Sequence, residues 1–183
     1  LDETIAADFA ALAQLRPGEF GISNRTLADD YWLVAYTTDD GPVYYYRYER
    51  ATKTAELLFS NQPVLEQLTL ATMQPLSYSA RDGLTIHGYL TLPVDLPAQN
   101  LPAVMLVHGG PWARDTWGYD PEAQWLANRG YAVLQVNFRG STGYGKAFLN
   151  AGNREWAAKM HDDLLDGVEW LVSELSLIHI SEP

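Results

Sequence analysis

The residues best placed to do chemistry lie in Ala103-Val-Met-Leu-Val-His108-Gly109-Gly110-Pro111-Trp112, an apolar run that ends in a histidine and two glycines. Acyl-transfer catalysts need N–H donors aimed at the oxyanion that develops on an attacked carbonyl. Removing one such donor costs about 2.7–4 kcal/mol of transition-state stabilisation. Main chain without side chains can approach a substrate that closely, so glycines following a buried parallel strand supply a suitable turn. The competing reading is an ordinary strand-ending turn with a packed histidine. A nucleophile needs a turn of its own, and no G-x-S-x-G elbow occurs in these 183 residues.

A second glycine-rich stretch, Val136-Asn-Phe-Arg139-Gly140-Ser141-Thr-Gly-Tyr-Gly145-Lys146, offers two further chemistries and meets the requirements of neither. Gly140 to Lys146 spells the spacing of a phosphate-binding loop, but Ala147 stands where a hydroxyl must hold magnesium, so nucleotide binding is not expected. Ser141 follows a strand, yet the position two residues before it is Arg139, not the glycine that a strained nucleophile turn demands. His161 beside Asp162-Asp163 lacks a second ligand group and adjacent helical positions do not share a face, so no metal is expected there. His87, the pairs Asp29-Asp30 and Asp39-Asp40, and the Tyr44–Tyr48 stripe read as hairpin, turn-capping and packing residues.

The elements that must position these residues fall into two parts. An Ala-rich helix over residues 2 to 15 places Ile5, Phe9, Leu12 and Leu15 on one face and stops at Pro17-Gly18. Short β-prone runs at 31–37, 43–48 and 55–59, with turns at 38–42 and 49–53, predict three or four antiparallel strands. That pattern matches one blade of a β-propeller, which cannot bury both faces alone. Beyond a boundary at residues 70–75, a hairpin around Asp82-Gly83 leads into strand 102–107, helix 121–129 and strand 131–138, with Asp120 as N-cap and Pro121 in the first turn. A last helix, about 160–173, carries Leu164, Val168 and Leu171 on one face. Alternating strands and helices predict a parallel sheet.

Bulk properties narrow the function classes. A net charge of −11 argues against nucleic acid and anionic membrane as partners, since both demand a basic face. The absence of cysteine excludes disulfides, thiol catalysis and cysteine-ligated metal. The chain opens Leu1-Asp2-Glu3, so it is expected to begin inside a longer protein; compartment stays open between cytoplasm and periplasm. Residues 175–183, including His179, fit no preceding pattern and read as a non-native, adapter-derived tail.

In series, the blade-like meander, the Asp82-Gly83 hairpin ending in Leu92-Pro93, the strand with HGGPW, a helix, the strand with NFRGSTGYG and the helix ending Glu169-Trp170-Leu171-Val172 resemble a serine peptidase of the prolyl oligopeptidase family. The acylaminoacyl-peptidase and dipeptidyl-aminopeptidase branches are the most similar. The resemblance implies an α/β fold: residues 1–72 as the end of a β-propeller with its last blade, and 73–174 as the first half of an α/β-hydrolase domain. It implies that Gly110 donates its backbone N–H to the oxyanion while His108 and Gly109 shape the turn. It implies a Ser-Asp-His triad, none of whose members is present, so this polypeptide alone is expected to be inactive. Short peptides are the implied substrate, with no metal and no cofactor; oligomeric state stays open. Two alternatives remain: a non-peptidase α/β hydrolase such as an esterase, and a non-catalytic propeller-based binding module.

Overall fold

A computed structural model describes residues 3–175; the stretch 176–183, with His179, lies outside the described residues. The chain divides into two compact units, Leu1–Thr69 and Leu70–Pro183.

In the first unit, helix α1 (Glu3–Leu15) is followed by strands β1 (Glu19–Arg25), β2 (Tyr31–Thr37), β3 (Tyr44–Glu49) and β4 (Thr54–Ser60), paired antiparallel in sequence order. Alternation decides the buried face: Trp32, Val34 and Tyr36 of β2 and Tyr44, Tyr46 and Tyr48 of β3 turn inward, where Leu12, Phe9 and Ile5 of α1 pack against them. The predicted tyrosine stripe therefore splits. Its even members form the core, and Tyr45 stacks on Phe59 of β4 on the other face, ring centroids 4.9 Å apart. Buried Asp8 of α1 accepts hydrogen bonds from Tyr48 Oη at 3.0 Å and Arg50 Nη2 at 3.0 Å, and pairs with Lys53. β1 leaves six of its seven residues exposed, which explains why its sequence carries no alternating signal. Asp29 and Asp30 engage side chains at the turn: Asp29 accepts the Trp32 indole N–H at 2.8 Å and Asp30 the Thr26 hydroxyl.

The second unit holds strands β5 (Met73–Ser79), β6 (Thr85–Thr91), β7 (Ala103–Leu106) and β8 (Ala132–Asn137), with helices α2 (Pro121–Ala127), α3 (Lys146–Asn150) and α4 (Lys159–Leu175). The sheet order is β5-β6-β8-β7. It is mixed, not all parallel: β7 and β8 run parallel, but β8 inserts beside the hairpin and pairs antiparallel with β6. The predicted cap is formed, with Asp120 accepting from Glu122 N at 2.9 Å and Ala123 N at 2.8 Å. β8 is buried along its whole length, whereas all four β7 residues are only half-buried and Val107 beyond it is exposed. The apolar run before His108 is thus an edge strand among the described residues, paired only with β8.

Candidate active site

Because β7 and β8 are parallel neighbours, with Leu106 opposite Gln135, their carboxyl ends open on the same rim of the sheet. This register brings together the two glycine-rich stretches that lie about thirty residues apart in sequence. The HGGP turn leaves β7 and the segment 138–145 leaves β8. Thr142 N donates to Ala113 O at 2.9 Å across the two loops.

Gly110 sits at φ +135°, a conformation that glycine tolerates and side-chain-bearing residues rarely adopt. A Cβ there would stand 2.8 Å from Trp112 N and 3.1 Å from Ala113 N, so the turn leaves no room for a side chain. Among the described residues, no acceptor takes the N–H of Gly110, Trp112 or Ala113. All three residues are exposed, so solvent or a ligand can reach these donors. Pro111 carries no N–H, so the Gly110 donor stands apart from the pair at Trp112 and Ala113. Next to Gly110 and Pro111 lies a cavity of ≈ 380 Å³ whose wall includes Phe138, Trp156, Met160 and Leu164. Its size and apolar lining fall within the range of small-molecule clefts.

His108 is half-buried, its ring stacked on Phe138 with centroids 4.7 Å apart and planes 14° from parallel. Nδ1 lies 2.9 Å from Gly109 O and Nε2 lies 2.9 Å from Ser141 Oγ. A serine and an imidazole at that distance have the spacing of a nucleophile and its base. However, Ser141 is fully buried and its hydroxyl also reaches Phe138 O at 2.7 Å, so no substrate carbonyl can approach it.

The loop after β8 is fixed from below by an ionic cluster that sequence reading missed. Arg139, buried in its entirety, donates from Nε at 2.8 Å and Nη2 at 2.6 Å to Asp163 of α4. It also donates from Nη1 at 2.8 Å and Nη2 at 3.0 Å to Asp82 of the hairpin turn. Those carboxylates hold the guanidinium charged, and the Arg139 hydrogen bonds in turn hold the Asp82 carboxyl far below the usual carboxylate range. Arg81 repeats the device one turn along α4, bonding Asp166 from Nη2 at 2.7 Å and Asp162 from Nη1 at 3.1 Å. Asp162 and Asp163 are therefore ion-pair partners of two different arginines. The signal for Asp163 was present: it lies in a helical stripe with Met160, Gly167 and Leu171, and a carboxylate in a buried stripe needs a cation.

Two further polar groups shape the rim. Asn137 exchanges a pair of hydrogen bonds with the Asp115 main chain, at 2.8 and 3.1 Å, and donates to Tyr144 Oη at 2.9 Å. Burial pushes the Asp115 carboxyl up, with the nearby His108 charge acting in the opposite direction. His87 stacks on Tyr144 at 4.6 Å, and exposed His161 lines the cavity. Among the described residues, no group of three or more His, Cys, Asp or Glu is placed to hold a metal.

A model of the prolyl oligopeptidase family matches residues 117–181. Dipeptidyl aminopeptidase BIII of Pseudoxanthomonas mexicana is 51% identical over 181 residues, covering 95% of this chain and 26% of that protein. Dipeptidyl peptidase family member 6 of Caenorhabditis elegans is 45% identical, covering 94% of this chain and 26% of its own length. Among solved structures, the acylaminoacyl peptidase of Pyrococcus horikoshii superposes with a TM-score of 0.69 over 86% of this chain and 25% of that one, at 23% identity. The chain spans about a quarter of the length of the curated relatives it matches. By sequence and fold together, this chain belongs to the prolyl oligopeptidase family.

Proposed function

We propose that residues 73–174 supply the oxyanion-binding side of a serine-peptidase site. In this reading Gly110 N–H receives the negative charge that forms when a serine attacks a peptide or aminoacyl carbonyl, and the reaction proceeds through an acyl-enzyme. The carrying observation is the geometry at the end of β7: an exposed glycine at φ +135° whose N–H has no acceptor among the described residues, beside an apolar cavity of ≈ 380 Å³. The relatives' names add weight to release of dipeptides. The four-stranded meander of the first unit is read as a propeller blade. Among the described residues the one serine paired with a histidine is sealed inside the loop, so the nucleophile is read as lying outside them.

The test exchanges this chain's residues 1–174 for the matching segment of the Pseudoxanthomonas relative and assays dipeptidyl anilide hydrolysis. The proposal expects the exchanged protein to turn substrate over, and the 183-residue chain alone to show none. An exchanged protein that folds and lacks turnover overturns the reading, as does turnover by the isolated chain.

A further inference from the structure

We propose that Asn137 is a positioning residue for the Gly110 donor: its side-chain amide clamps the far end of the turn 107–114 onto β8, the strand that already holds the near end. The catalytic consequence rests on the oxyanion reading; the clamp itself does not.

The turn leaves one strand and returns to it. Its near end is Leu106, the last β7 residue in register, opposite Gln135. Its far end is Asp115, whose main chain meets Asn137, two positions further along β8. Since β7 has departed by then, the Asn137 side chain supplies the donor and acceptor that a neighbouring strand's backbone would otherwise offer. Asn137 is fully buried, and its amide admits one orientation. Asp115 N–H can only donate, so the atom 2.8 Å from it is the amide oxygen. Asp115 O can only accept, so the atom 3.1 Å from it is the amide nitrogen. That nitrogen's second hydrogen goes to Tyr144 Oη at 2.9 Å. A carboxylate of the same shape would supply the acceptor and neither donor. Arg114 closes the arrangement, donating from Nε to Asp115 O at 3.1 Å and from Nη2 to Tyr144 Oη at 3.2 Å.

The consequence follows from where the loop is pinned. Between its ends, Thr142 N–H bonds Ala113 O at 2.9 Å, while Gly109, Gly110, Trp112 and Ala113 lie exposed. Adjacent glycines are conformationally free, so releasing one end of this turn lets its middle move. A surface loop whose two ends stand close together keeps its shape only while both are held. An oxyanion donor acts at about 2.7–3.1 Å from the charge it receives. A misplacement of about 1 Å at such a site can cost about 10²-fold in rate. Asn137 thus acts on the reaction through Gly110, without touching the substrate.

The test is a double-mutant cycle in the exchanged peptidase, pairing Asn137→Leu with an ester in place of the Gly110 amide. Asn137→Leu alone is expected to lower kcat per titrated active site by about 10- to 100-fold, with KM little changed. The ester is expected to lower kcat as well, and the pair to fall hardly further than the ester alone, because a donor that is gone cannot be misplaced. A residue that only supports the fold would lower the melting temperature and leave kcat per titrated site unchanged. That result overturns the proposal, and so do two falls that multiply. An ester that leaves kcat unchanged refutes the oxyanion reading instead, and the clamp is then decided by NMR of the 183-residue chain. There the native protein should show scalar coupling from Asp115 N–H to the Asn137 side-chain carbonyl and slow exchange of that amide. Asn137→Leu should speed the exchange and shift the Gly110 amide resonance. No coupling together with a rapidly exchanging Asp115 amide in the native chain overturns the clamp. If Asn137→Leu does not fold, Asn137→Asp, which keeps the volume and the acceptor, takes its place in the cycle.

Discussion

Replacing Arg139 with methionine should be among the most damaging single changes to the second unit. The side chain of Arg139 is 4% exposed and that of Asp163 is fully buried, so the substitution leaves a carboxylate with no route to solvent. Only the hydrogen bond from Arg139 N, at 2.9 Å, would remain to it. Breaking a buried pair from one side costs about 3–5 kcal/mol. Asp82, 35% exposed, can be rehydrated and adds at most about 1 kcal/mol. Against a domain stability of about 5–15 kcal/mol, the loss is large. Urea unfolding followed by tryptophan fluorescence reports it, because every tryptophan except Trp32 lies in this unit. Arg139→Met combined with Asp163→Asn removes the stranded charge, so the double variant should be more stable than Arg139→Met alone. A loss below about 1 kcal/mol for the single variant, or strict additivity in the cycle, would refute the reasoning.

Other outcomes follow from the same structure. Gly152→Ala should cost about 1–3 kcal/mol, since its Cβ would lie 2.7 Å from Gly140 Cα and 2.9 Å from Arg139 O, and urea midpoints measure it. Asp120→Ala should cost about 0.5–2 kcal/mol by uncapping α2, with Asp120→Asn recovering most of it in the same assay. Burial pushes the Tyr36 phenol up to about 12. An unfolded tyrosine ionises near 10, so this group's contribution is whole below about pH 10 and is lost as pH rises towards 12. Tyr36→Phe should flatten that alkaline slope in circular-dichroism melts; an unchanged slope counts against the assignment.

Much of the scaffold was legible in short sequence signals, each for a local reason. Asp120-Pro121 announced α2 because capping is decided within three residues. The alternation of Trp32, Val34 and Tyr36 announced β2 because one face is buried and the other is not. What escaped depended on distant partners. The parallel expectation for the sheet failed at β8, whose second neighbour is the hairpin strand β6, and βαβ spacing does not reveal that choice. The apolar run before His108 suggested burial, yet strand position within a sheet decides exposure, and β7 is at the edge among the described residues. The site divided similarly. His108, Gly109 and Gly110 stood out by type and spacing. The roles of Arg139, Asp163 and Ser141 emerged only once β8, α4 and the hairpin were brought within hydrogen-bonding distance.

The most direct test of the oxyanion assignment replaces a single backbone N–H by oxygen. In the exchanged peptidase, an ester at residue 110 (glycolate in place of glycine) deletes the N–H and leaves the turn's shape intact. The account predicts a fall in kcat of about 10²–10³-fold with KM little changed, the loss of one oxyanion donor. A fall of less than about tenfold, or one confined to KM, contradicts it.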